Sequence, residues 1–123
     1  MLLSELIAAD GITLTADVSE GGWRRTYQGV FHFEGRTLEH DWSVDITDTS
    51  EVDAASLLST AVHYSATAEA SDDFEEYADD MDMEPSEENR KTYTMWLEVA
   101  KSLRSFLGDE RYERYAYEAE RDV

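Results

Sequence analysis

The spacing of apolar residues changes along this chain, and that change limits what it can fold into. Between Ile12 and Ile46 apolar side chains recur at every second position. Ile12, Leu14, Ala16 and Val18 form one run, residues 27–33 a second, and Trp42, Val44 and Ile46, alternating with Asp41, Ser43 and Asp45, a third. This is the period of half-buried strands. Turn residues at 20–23 and 34–35 separate the runs, which predicts a three-stranded antiparallel meander. Beyond Ser50 the recurrence lengthens to three and four positions, the period of one helix face.

Three strands need a cover to be stable, and the flanking segments supply it. Leu2, Leu3, Leu6 and Ile7 share a helical stripe that Gly11 closes as a C-terminal cap. Ser50 with Asp53 resembles a capping box, and the mostly apolar run after it predicts a central buried helix over 51–66. A second helix starts near Ser71 or Asp72, with Phe74, Tyr77, Ala78 and Met81 on one stripe. Pro85 interrupts, Ser86 caps the next helix, and Tyr93, Trp96, Leu97, Ala100, Leu103 and Leu107 form its inner face up to Gly108. Asp109 opens a last helix that Tyr112, Tyr115 and Ala116 dock. Trp23, Trp42 and Trp96 are read as core or edge packing, and Tyr117 as exposed. The expected fold class is α+β in one domain spanning 1–123, with 1–48 the helix and meander and 49–123 the helical part.

Composition bounds the chemistry. The chain has no cysteine, so a disulfide framework, a thiolate nucleophile and sulfur-ligated zinc are excluded. The segment 1–11 carries Glu5 and lacks a basic leader, so it is not read as a signal peptide, and no segment approaches the roughly 20 apolar residues of a membrane span. The expectation is a cytoplasmic protein. Its net charge is −19 and is regional: residues 51–88 hold thirteen acids and no base, whereas 89–123 hold seven of each. Such a field repels nucleic acid and anionic membranes and attracts basic surfaces.

The charge is concentrated in "EASDDFEEYADDMDMEPSEE", residues 69–88, which contain eleven carboxylates. On a helix, Asp72, Asp73, Glu75, Glu76, Asp79, Asp80 and Asp82 fall opposite the Phe74 stripe. Over a span of roughly 16 Å they place about one charge per 2.4 Å, comparable to the roughly 1.7 Å per charge of duplex DNA. These seven with Glu84, Glu87 and Glu88 are the candidate partner-binding residues. Two other readings stand beside this one: a solvated face that keeps the protein soluble, and halophilic adaptation, which predicts acids on every face and fits poorly with the neutral last third.

No catalytic or metal residues are assigned. Asp80, Asp82 and Glu84 copy the first, third and fifth positions of a calcium loop, but Pro85 stands where glycine is required and Lys91 where the bidentate glutamate belongs. His32, His40 and His63 lack a ligand spacing, and no nucleophile elbow, phosphate loop or zinc helix motif is present. No cofactor is expected.

Phe74, Glu75, Glu76, Arg90, Tyr93, Phe106, Leu107, Gly108 and Tyr112 match a pattern of elements that resembles small acidic proteins from phages and prophages of actinobacteria. In that group a tryptophan stands where this chain has Tyr77, and a glycine follows the acidic helix where this chain has none. The resemblance implies phage origin rather than an activity. Small acidic phage proteins are often inhibitors of host defence, so the function expected is non-enzymatic: an anti-CRISPR or antirestriction protein whose acidic face occludes a basic groove. The partner expected is a nucleic-acid-binding protein of the host cytoplasm, with no direct nucleic acid and no membrane. A homodimer is a further option. The alternative is a phage accessory module that binds a protein through apolar helix faces, its charge serving solubility.

Overall fold

The computed structural model describes residues 2–45, 47 and 53–121. Its order is α1 (Leu3–Asp10), β1 (Thr13–Gly21), β2 (Arg24–Phe33), β3 (Arg36–Asp45), α2 (Ala54–Ala70), α3 (Phe74–Asp80), α4 (Glu87–Leu107) and α5 (Asp109–Arg121). This is the α+β arrangement that the two apolar periods predict. Ile46, Ser50 and the expected helix start at Glu51 lie outside the described residues.

The strands form one antiparallel sheet in the order β1-β2-β3. Both hairpins have two-residue loops. Gly21 pairs with Arg24 around Gly22 (φ 61°), and Phe33 pairs with Arg36 around Glu34 and Gly35 (φ 50° and 79°). Positive φ at both Glu34 and Gly35 is the signature of a type I′ turn, whereas the first loop, with positive φ at Gly22 and not at Trp23, has that of type II′; both twists suit a tight hairpin. The register puts Leu14, Phe31 and Leu38 in one row, and Val18, Tyr27 and Trp42 in another on the same face.

Helix α2 is central and meets α1, α3, α4 and α5. It is capped by Asp53, whose carboxylate accepts from the Ser56 amide at 2.7 Å. The main core joins Leu3 and Ile7 of α1, Phe31 and Phe33 of β2, Leu58 and Val62 of α2, Leu103 and Phe106 of α4, and Tyr112 and Tyr115 of α5. Phe106 lies 6.4 Å from the ring of Phe31 and 6.2 Å from that of Phe33, fixing the end of α4 to the sheet. Ser65 and Tyr112 share a buried hydrogen bond of 3.0 Å.

The helices cover one end of the sheet. Strands of nine and ten residues run about 30 Å, and burial falls off along them, from Phe31 and Phe33 in the core to exposed Val18 and Trp23. Leu14 is half-buried as expected, but Ala16 is exposed and Val18 is 53 % exposed. Trp23 is not packing either, at 65 % exposed, with the Arg24 guanidinium 5.0 Å from its ring. Alternation fixes which way a side chain faces, not whether anything lies over it. Among the described residues no helix is long and apolar enough to cross a membrane.

Candidate acidic interface

The acidic segment is built on a second, smaller core. Ala68, Phe74, Tyr77 and Ala78 are buried together, and Met81, Met83, Tyr93, Trp96 and Leu97 pack against them. Tyr93 of α4 is 5.8 Å from the ring of Phe74 and 5.0 Å from that of Tyr77. The predicted stripe is correct, and it holds α3 against α4. Burial raises the pKa of the Tyr77 phenol.

The ends of α3 are defined by side-chain and backbone bonds. Asp73 accepts from the Glu76 amide at 2.9 Å, and Glu76 reaches back to accept from the Asp72 amide at 3.3 Å. The first bond satisfies an orphan donor of the first turn, and the second ties the residue before the cap to the same turn. At the other end the Met83 amide donates to the Ala78 carbonyl at 2.9 Å and the Asp82 amide to the Asp79 carbonyl at 3.1 Å. These are the two bonds of a Schellman ending, which needs a left-handed residue. Asp82 takes that conformation, with φ 52°.

The carboxylates therefore do not form one continuous helical row. Helix α3 has seven residues and carries Glu75, Glu76, Asp79 and Asp80, about 10 Å of charge. Asp72 precedes the helix, Asp73 caps it, and Asp82 lies beyond its end. The chain then turns, so Glu84 stands in the connection, and Glu87 and Glu88 on the first turn of α4. That connection is fastened. Asn89 donates through Nδ2 to the Glu84 carbonyl at 2.7 Å, and its amide donates to Ser86 Oγ at 3.1 Å. Two acids favour the N-terminal dipole of α4.

All ten proposed residues are exposed, and among the described residues none of them stands in a salt bridge. The eleventh carboxylate of the segment does. Glu69 is held by Arg104 through two side-chain hydrogen bonds, and Arg104 also reaches Asp109 at 3.1 Å and Glu113 at 3.5 Å. Sequence reading missed two basic residues near the patch. Arg104 is 35 positions from Glu69 and only the packing of α4 on α2 brings them together. Arg90, two positions past the acidic run, places its guanidinium 4.7 Å from the Phe74 ring.

The histidines are scattered. Exposed His32 shares a 3.2 Å hydrogen bond with Thr15, His63 lies 5.4 Å from the Tyr64 ring, and His40 lies 6.3 Å from the Trp96 ring. Among the described residues no group of three His, Asp or Glu side chains is arranged to hold a metal ion. Asp80, Asp82 and Glu84 are thus not gathered into a loop of ligands.

In comparisons with known proteins, the chain matches no family, no curated protein and no solved structure.

Proposed function

We propose that this chain is a non-enzymatic inhibitor of phage type that occupies the basic nucleic-acid groove of a host defence complex, a CRISPR effector or a restriction complex. One observation carries the reading: ten carboxylates stand exposed and, among the described residues, without salt bridges on a framework fixed by its own aromatic core. Solubility does not require a dedicated core under the charge. A fixed array of anions, by contrast, meets a basic channel with little ordering of its own to do. The resemblance at Phe74, Glu75, Glu76, Arg90 and Tyr93 supports phage origin.

Each exposed carboxylate contributes about 1 kcal/mol or less, so the effect is collective. Changing Asp72, Asp73, Glu76, Asp79 and Asp80 together to Asn or Gln removes five charges and keeps the caps, because Asn at the first cap position and Gln at the fourth bond as Asp and Glu do. The expected result is binding to the host complex weakened by about a hundredfold or more, with steep salt dependence and competition by nucleic acid in the parent. A folded variant that binds as tightly as the parent removes this reading. Inhibition retained when His32, His40 and His63 are all changed to Gln fits the non-enzymatic role, and its loss in a folded triple variant argues for catalysis.

The second reading is an accessory protein-interaction module whose acids serve solubility. Exposed Trp23 and Val18, at the sheet end beyond the helices, favour it. Trp23→Ser abolishing partner capture while the five-charge variant retains it would select this reading.

A further inference from the structure

We propose that the groove between α2 and α5 receives an amphipathic basic helix of the partner. This deepens the reading above and rests on its premise of a basic partner. The groove has a volume of about 590 Å³, within the range of ligand and peptide sites. Its floor is methyl-sized: Ala66 and Ala70 from α2 face Ala116 and Ala119 from α5. Tyr117, 57 % exposed, stands on the wall with the Arg121 guanidinium 5.7 Å from its ring. His63, Thr67, Ser71, Asp80 and Glu120 complete the lining, so the alanine floor has a polar rim.

Charge selects the occupant. Asp80 belongs both to the groove and to the acidic segment, so an incoming chain meets carboxylates before it meets the alanines. A second copy of this chain brings another −19 to the contact, and an anionic lipid surface brings like charge, so both are repelled. A helix with an apolar stripe and lysine or arginine on its other side satisfies both surfaces, in the helix-in-groove mode. Exposed carboxylates steer and are screened by salt, whereas apolar side chains seated among alanines, away from water, supply the salt-resistant part of the binding.

The test uses two labelled peptides of about five helical turns with equal lysine content. One has leucine at i, i+3, i+4 and i+7, and the other glutamine at those positions. Fluorescence anisotropy on the full chain should show the leucine peptide bound about tenfold tighter or more. Ala70→Trp and Ala116→Phe fill the groove and should abolish that preference, both peptides still binding at low salt. The five-charge variant should lose affinity for both peptides and keep the preference. Equal binding of the two peptides by the parent overturns the proposal. So does a folded, filled variant that keeps the preference, or a parent dimer that Ala70→Trp dissociates. Methyl NMR of Ala66 and Ala116 needs no variant: shifts specific to the leucine peptide support the groove, and their absence overturns it. Loss of the preference alone sinks the groove, whereas undiminished binding by the five-charge variant sinks the acidic reading.

Discussion

The hydroxyl of Tyr115 donates to the carboxylate of Asp10, 105 positions away, and so ties α5 to the last residue of α1. Asp10 stands at the C-terminal end of a helix, where the dipole disfavours an anion. Arg114 at 3.1 Å and Arg111 at 3.4 Å offset that cost. Arg111 also lies over Phe33, 4.6 Å from its ring, so the cluster reaches the sheet.

Tyr115→Phe keeps the packing and removes the donor. Tyr115 is fully buried, and Asp10 retains its two arginines, so the expected loss is about 1–2 kcal/mol, a fall of several degrees in Tm. Asp10→Ala leaves Arg111 and Arg114 without their carboxylate and should cost more. Thermal unfolding by circular dichroism measures both, and a Tyr115→Phe protein as stable as the parent rejects the role given to this bond.

Asp82→Gly should stabilise the protein by about 0.5–1 kcal/mol. A left-handed residue closes α3 there, and a side chain at φ 52° carries a steric cost that glycine lacks. The substitution also removes one charge from a crowded region, an effect of the same sign. Denaturant unfolding decides it, and an unchanged or lower midpoint contradicts the Schellman ending.

Stability should fall as the pH drops below about 6.5, in a way that depends on His40. Burial lowers the His40 pKa, against an opposing attraction from Asp41. With the folded value below the unfolded one, the unfolded chain binds the proton first, so acidification from neutral pH favours unfolding until the folded pKa is passed. Above that window both states are neutral and the contribution vanishes. His40→Gln should flatten the stability profile just below about pH 6.5, and an identical slope in the variant would show that the group titrating is elsewhere.

Added salt should raise the melting temperature. Exposed carboxylates crowded within a Debye length of about 8–10 Å repel one another, and the five-charge variant should have a higher Tm than the parent at low salt and a weaker response to sodium chloride. Equal salt responses would mean that the repulsion is not concentrated in this segment.

The helices and strands were legible because each presents its period without interruption: the Phe74 stripe, the Tyr93 face of α4 and the alternation through Phe31 all lie where the spacing put them. Helix length on the acidic side was not legible. A seven-carboxylate row required Asp82 to be helical, whereas that residue takes the left-handed position that glycine usually marks, and no glycine announced it. Trp23 and Val18 were misread because alternation carries no information about how far the neighbouring layer extends. Arg104 with Glu69, and Tyr115 with Asp10, depend on contacts between distant segments, which no local pattern encodes.

The two cores have unequal burdens. The larger one carries the sheet and four helices, while the smaller holds α3 against α4 with Phe74, Tyr77 and Ala78 beneath a set of mutually repelling anions. Repulsion among those anions works against the docking of α3, and the burial of Phe74, Tyr77 and Ala78 offsets it. Whatever cation neutralises that surface also tightens the helix onto its own core. By reciprocity, every substitution that loosens Phe74 or Tyr77 weakens cation binding without touching a carboxylate.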